Sequence, residues 1–475
     1  MKINPYIFRG YDLRGEVEKD LNPEIVEAIG KAFGTFLKRQ GIKKAIVSRD
    51  SRQTSPQYSQ AMISGMTFAG IDIIDIGMNL IGTFYWSQHY LNCRGGVFVT
   101  GSHNPSGYNG FKFANDLSET LVSDGMQELR RMVESDDYEK GENPGKVSEK
   151  DVRQIYFDDL LKRLPLKKNF KIVVDSGFAT AGIIIPDLLR KAGCRVIESN
   201  CKLDSSFPLG APDPTEINFA KRLSEKVLKE KADIGFSYDS DGDRIGIVDD
   251  RGGIIWNDVL LSIFTIDILS EHPGATIMYN ILCSKGVEET ILKHGGQPFM
   301  WRVGHSFLKK KNQEVKAAFI GELSGHFFFS ADFYNHDDGA YSTLRLLNYL
   351  EKSGQPLSLV VDSLPKYISS PEIKIFCADD KKVDFIKKIG PILQANFPEA
   401  EVISDERAGD GVRLNLPDGM FVVRYSQNAP YLTIKFEAKT EEKYGFLKDY
   451  IKKLLSNHEE VDWKSKINMN LQALN

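Results

Sequence analysis

The sequence predicts an α/β protein of several domains that ends in a segment of α+β character. Its 475 residues exceed what one hydrophobic core organises, which gives three or four domains of ordinary size. Short apolar strands alternate with helical stretches along most of the chain, the pattern of a parallel sheet covered by helices. Near the C-terminal end that alternation gives way to strands joined by short links, which pair as neighbours.

In the first unit, 24–39 and 56–69 read as helices between strands at 44–48, 72–76 and 95–100. The charged stretch SDDYEKGENPGKVSEKD (135–151) reads as irregular, and a helix near 152–163 leads onward. A second unit runs from the strand in KIVVDSG (171–177) through a helix at 180–192 to DIGFSYD (233–239). The third begins with an amphipathic helix at 257–271 and the strand TIMYN (276–280). It continues through GELSGHFFF (321–329) to a helix at 337–353. In the fourth, GVRLNL (411–416), MFVVRYS (420–426) and YLTIKFEA (431–438) read as a meander, with a hairpin turn through Asp418-Gly419 and a closing helix at 440–456. The units are placed at 1–165, 166–256, 257–370 and 371–475. No low-complexity linker separates them, so close packing is expected.

Apolar residues at 41% and charged residues at 27% are ordinary for a soluble protein. A net charge of −4 argues against nucleic acid or an anionic membrane as the main partner. The five cysteines (Cys93, Cys194, Cys201, Cys283 and Cys377) are scattered without a CxxC pair, which disfavours zinc and a disulfide framework. The start MKINPYIFRG has no apolar signal core and no run approaches a membrane span. A reducing, cytoplasmic setting is expected.

Four loops follow apolar strands and carry reactive side chains. In VFVTGSHNP (97–105), Ser102 sits just past a buried strand, where α/β folds place reactive groups. Gly101 is expected to take the conformation a side chain would forbid, and Pro105 to stiffen the exit. In DSDGDR (239–244), Asp239, Asp241 and Asp243 set three carboxylates within five residues, with Gly242 letting the chain curl. Carboxylates so close repel one another, so a hard cation such as Mg²⁺ is expected there. A calcium EF-hand fails, because Arg244 and Asp250 stand where that loop needs glycine and glutamate. In GELSGH (321–326), Glu322 and Ser324 offer a grip for vicinal hydroxyls. In RYSQNAP (424–430), Arg424 with Ser426, Gln427 and Asn428 offers an anion cradle. Arg9, Tyr11 and Arg14 lie in FRGYDLRG (8–15), Lys112 closes YNGFK (108–112), and His305 opens a helix in GHSFLKKK (304–311).

Taken in order, FRGYDLRG, TGSHNP with YNGFK, DSDGDR, WRVGHS (301–306), GELSGH with DDGAYS (337–342) and RYSQNAP resemble the α-D-phosphohexomutase family, in particular its bacterial phosphomannomutase/phosphoglucomutase branch. The resemblance spans nearly the whole chain. It implies four domains around a central cleft, three of them α/β with mixed sheets and the fourth related to the TATA-box-binding-protein-like fold. The activity implied is reversible phosphoryl transfer between O1 and O6 of mannose or glucose phosphate. Ser102 would carry the phosphate, and a bound glucose or mannose 1,6-bisphosphate would turn over between two transfers. One Mg²⁺ would sit on Asp239, Asp241, Asp243 and the Ser102 phosphate. Arg244, Arg14 and Lys112 would add positive charge; His305, Lys112 and Arg14 are the candidates for proton transfer, and His103 joins the catalytic loop. Glu322 and Ser324 would hold O3 and O4, with Tyr11 and His326 as further substrate contacts. Arg424, Ser426, Gln427 and Asn428 would hold the phosphate that is not reacting. The partner is the hexose phosphate, and the assembly a monomer or dimer.

Three departures from the family pattern stand out. Gln427-Asn428 replaces an asparagine-threonine pair, GMNLIGT (77–83) lacks a Thr-Pro, and Leu282 falls where relatives often have a basic residue that Arg302 or Lys285 would replace. Leu323 leans toward hexose over a phosphoglucosamine mutase. A sugar-phosphate-binding protein without catalysis and a serine phosphatase are the readings from other classes.

Overall fold

The computed structural model describes residues 3–427 and 429–474, and folds them into four sheets, each with its own helices. In the first, Gly95–Val99, Lys44–Arg49, Asp72–Met78 and Val147–Glu149 run parallel. Leu13–Glu16 and Tyr108–Asp116 pair antiparallel along the other side, so the sheet is mixed. Val147–Glu149 lies inside the stretch expected to be irregular. It is a three-residue exposed edge strand, held by backbone pairing and the Ser148 hydroxyl on Ile73 O, and too short to show a pattern. The second sheet orders Ile254–Ile255, Ile245–Val248, Ile234–Tyr238, Lys171–Asp175 and Arg195–Ser199, and the third Gln297–Trp301, Thr276–Asn280, Phe319–Gly321 and Phe327–Phe328.

The fourth sheet is antiparallel throughout, from Glu401–Ile403 through Gly411–Leu416, Gly419–Tyr425 and Tyr431–Ala438 to Ile373–Cys377 and Val461–Asp462. Ile368–Ser369 also pairs into it, so this sheet begins before residue 371. Leu416 faces Gly419, which centres the hairpin on Pro417-Asp418 instead of Asp418-Gly419. Proline pre-sets the first turn position, and Gly419 is needed for space, because a Cβ there would lie 2.4 Å from Glu437 O. The helix Lys382–Asn396, with Pro391 inside it, was not anticipated; its proline hides the helical period.

The helix Asn257–Glu271 is buried on nearly every side and is not amphipathic. Its polar residues are covered because they are paired. Asp258 meets Lys435 at 3.1 Å, and Asp267 accepts from Arg345. One apolar cluster runs from Ile46 and Phe84 through Phe236 and Phe264 to Met420 and Val422, so residues of all four units share a core.

In the first unit, Asn22 caps the helix Pro23–Arg39 by accepting from Ile25 N–H at 2.9 Å, with Pro23 at the first turn. That helix packs against Ser55–Phe68 so closely that a Cβ on Gly65 would lie 2.2 Å from Glu27 O. Gly65→Ala would gain about 1 kcal/mol of helix propensity. The clash is with backbone that cannot swing aside, and overpacking of this kind costs about 1–3 kcal/mol. A net loss of stability is expected, read as a lower Tm in thermal unfolding; an unchanged or higher Tm would refute the packing argument.

Candidate active site

Ser102 follows the strand Gly95–Val99 with φ +46°, in the left-handed region. The sequence assigns the unusual conformation to Gly101, but the serine itself adopts it. Gly101 supplies room instead, since a Cβ there would lie 2.5 Å from Arg52 Nε. Arg52 is 2% exposed and organises the loop. It donates to Ser102 O and Asn104 O at 2.6 Å each, to Pro105 O at 2.7 Å and to Tyr108 O at 2.9 Å. Thr100 Oγ1 accepts from Ser102 N–H at 2.8 Å and lies 2.8 Å from the carboxylate of Asp50. Sequence reasoning missed Asp50 and Arg52. The signal was available: they follow Lys44–Arg49, the parallel neighbour of the serine strand, and ends of adjacent parallel strands lie side by side.

The DSDGDR loop faces this serine. Ser102 Oγ donates to Asp239 Oδ2 at 2.9 Å and lies 3.2 Å from His103 Nδ1. Gly242 has φ +71°, the curl expected of it. Asp239, Asp241 and Asp243 are at most 1% exposed, and one oxygen of each lies within 4.8 Å of the others. Asp241 Oδ1 is buried with no hydrogen-bond partner among the described residues, and Asp243 Oδ1 faces only His326 Nε2, at 3.4 Å. Hard, unsatisfied oxygens converging on one point fit a divalent cation.

Lys112 Nζ reaches Asp243 at 2.5 Å and Asp241 at 3.1 Å. Burial alone would lower its pKa, but these two carboxylates outweigh it and hold the amine well above its ordinary value. Burial and the charges of Asp243 and Asp241 push Asp239 well up. Asp243 goes the other way: Lys112 and His326 overcome burial and hold it well below the carboxylate range. Arg14 donates to Thr100 O at 2.9 Å and pairs with Asp12 at 3.1 Å.

Arg244 joins two units, donating from Nε to His326 Nε2 at 3.4 Å while standing 3.9 Å from Asp239. His326 Nδ1 lies 2.9 Å from the Ser324 hydroxyl and 3.4 Å from Glu322. The other oxygen of Glu322 accepts from Asn280 at 3.0 Å and from Gly304 N–H at 2.9 Å. His305 stacks on His326 at 5.2 Å and meets Tyr11 edge-on at 5.0 Å. Burial, then Lys112 and Lys309, depress the His305 pKa well below the usual imidazole range. His103 is depressed by burial and Arg244. Tyr11, Arg14, Ser102, His103, Lys112, Arg244, His305 and His326 thus line one small cavity. Leu323 is 5% exposed and packs into the core.

The RYSQNAP loop differs from expectation in its arginine. Arg424 makes a two-pronged pair with Asp410, at 2.8 and 2.5 Å, and Gln427 Nε2 donates to the same carboxylate at 3.2 Å. Lys382 anchors the loop by donating to Ser426 O at 2.7 Å and Ala429 O at 3.1 Å. Asn428 lies outside the described residues. Leu282 is buried in the core, and Lys285 is turned onto Leu416 O.

Models of the α/β/α domains I, II and III of phosphoglucomutase/phosphomannomutase match residues 5–140, 154–253 and 256–367. The chain is 38% identical over 442 residues to a phosphomannomutase/phosphoglucomutase of Pseudomonas aeruginosa, covering 93% of this chain and 94% of that one. It is 33% identical over 460 residues to a phosphoglucomutase of Neisseria gonorrhoeae, covering 96% and 98%. A crystal structure of a phosphoglucomutase/phosphomannomutase family protein from Burkholderia thailandensis superposes with a TM-score of 0.87 at 32% identity, covering 96% of this chain and 98% of that one. The loops that meet at Ser102 therefore sit in a fold and sequence that match these relatives over more than nine-tenths of the chain, and the chain belongs to the α-D-phosphohexomutase family.

Proposed function

We propose that this phosphohexomutase moves a phosphoryl group between O1 and O6 of glucose and mannose phosphates, with Ser102 as the carrier. The observation that supports this most is the 2.9 Å approach of Ser102 Oγ to Asp239, which joins loops 137 residues apart in sequence. The relatives' names, phosphomannomutase/phosphoglucomutase and phosphoglucomutase, support the choice of sugars. Asp239, Asp241 and Asp243 would hold Mg²⁺, whose chemistry is charge neutralisation on the phosphoryl oxygens.

The chain's own groups account for the rest. In the first transfer the bond from phosphorus to Ser102 Oγ breaks as one forms to a sugar hydroxyl, and the hydroxyl proton passes to a base. Arg14 is engaged by carbonyls and Asp12, and Lys112 by two carboxylates. His305, flanked by Tyr11 and His326, is the remaining one of the three candidates for that proton. The bisphosphate then turns, and Ser102 takes back the other phosphoryl group while His305 returns the proton. Glu322 and Ser324 hold the ring hydroxyls in either orientation, and the RYSQNAP loop holds the phosphate at rest.

Ser102 is 4% exposed and the three aspartates at most 1%, so a phosphate carried there would be shielded from bulk water. Exclusion of water favours a mutase over a phosphatase. All five cysteines are free and buried, which supports a cytoplasmic, reducing setting, and no helix among the described residues is long and apolar enough to cross a membrane.

Purified protein should carry one phosphate by intact mass, and Ser102→Ala should remove it and abolish turnover; substantial residual mutase activity would refute the carrier role. Asp241→Asn should lower kcat by about two orders of magnitude at ordinary Mg²⁺, and a near-normal rate would argue against the metal assignment. Parallel assays with glucose, mannose and glucosamine 1-phosphates should favour the first two, and a dominant rate on glucosamine 1-phosphate would overturn the substrate choice.

A further inference from the structure

The phosphate loop of the fourth unit carries less available positive charge than its residues suggest. The charge of Arg424 is matched by Asp410, which also takes the Gln427 amide. Arg9 stands 3.6 Å from Asp379, and Lys382 is shared between that aspartate and two loop carbonyls. A phosphate monoester brings up to two negative charges, and the residues that frame this corner are already balanced.

Arg302 is different. It follows the strand Gln297–Trp301 and lays its guanidinium over the Phe307 ring at 4.3 Å from the ring centre. It packs against Gly409, the residue before Asp410, where a Cβ would lie 2.6 Å from Arg302 Nε. Its Nε is buried, and among the described residues it has neither a hydrogen-bond partner nor a carboxylate partner. The same Phe307 ring meets Tyr11 edge-on at 5.6 Å. It also touches Gly10, whose Cβ position is 3.3 Å from Gln427 Oε1. Arg302 is therefore one aromatic ring away from both the sugar side of the cavity and the phosphate loop.

A guanidinium cannot discharge itself by losing a proton, so an ordered, partly desolvated and unpaired one is poised for an anion. Stacking on Phe307 fixes its plane and reduces the entropy lost when an anion binds. We propose that Arg302 is the residue whose charge binds the non-transferring phosphate of the hexose phosphate, with Ser426 and Gln427 orienting it. The sugar half of this inference rests on the mutase reading; the phosphate half does not.

The test uses the full-length protein with Arg302→Met, which keeps an apolar stem on Phe307, and Arg302→Lys, which keeps the charge. KM and kcat are measured with glucose 1-phosphate, and inorganic phosphate binding by calorimetry. Arg302→Met should raise KM about tenfold or more, leave kcat within about twofold, and weaken phosphate binding by a similar factor. Arg302→Lys should recover most of both losses. A KM and a phosphate affinity within about twofold of the wild type in Arg302→Met would overturn the proposal, as would equal losses in the Met and Lys variants. If Arg302→Met lacks a cooperative thermal transition, Arg302→Gln is read by the same two measurements and the same criteria. Wild-type protein that binds phosphate yet turns over no hexose phosphate would end the mutase reading alone, and the calorimetric comparison would still decide the role of Arg302.

Discussion

Three carboxylates buried within reach of one another impose a condition that the cleft has to meet. Asp239, Asp241 and Asp243 lie almost out of contact with water, where like charges repel strongly. The groups that answer them come from other units: Lys112 and Ser102 from the first, His326 from the third. Charge balance thus requires the loops to be together, so the site and the arrangement of the units are one electrostatic problem.

The seams between units are settled in the same way. Lys374 of the fourth unit faces Asp213 of the second at 3.6 Å, and Lys435 faces Asp258 of the third at 3.1 Å. Arg413 donates to Ile281 O and Cys283 O at 2.6 and 2.7 Å. Polar contacts of this kind specify one mutual orientation, while the apolar cluster that crosses the units provides most of the burial.

How much of this the sequence discloses depends on the range over which each feature is determined. Strands such as 44–48 and 276–280 are local patterns and are legible. The aspartates of DSDGDR are legible too, because their meaning lies in their own spacing. Arg52 and Asp50 are not, since Arg52 works by donating to carbonyls of a loop 50 residues further on and Asp50 by accepting from its Thr100 hydroxyl. Asp410 is similar: nothing near it in sequence says that it will occupy Arg424. The all-round burial of Asn257–Glu271 was misread because its aspartates look solvent-facing until Lys435 and Arg345 arrive from elsewhere.

The backbone at Ser102 bears on which amino acid can serve there. Threonine carries the same hydroxyl and is phosphorylated by the same chemistry. A β-branched side chain at φ +46° would, however, crowd its own backbone, and that conformation is rare for such residues. Asparagine and glycine accept the geometry but have no hydroxyl to offer. A short aliphatic hydroxyl selects two residues, the dihedral excludes one of them, and serine is what remains.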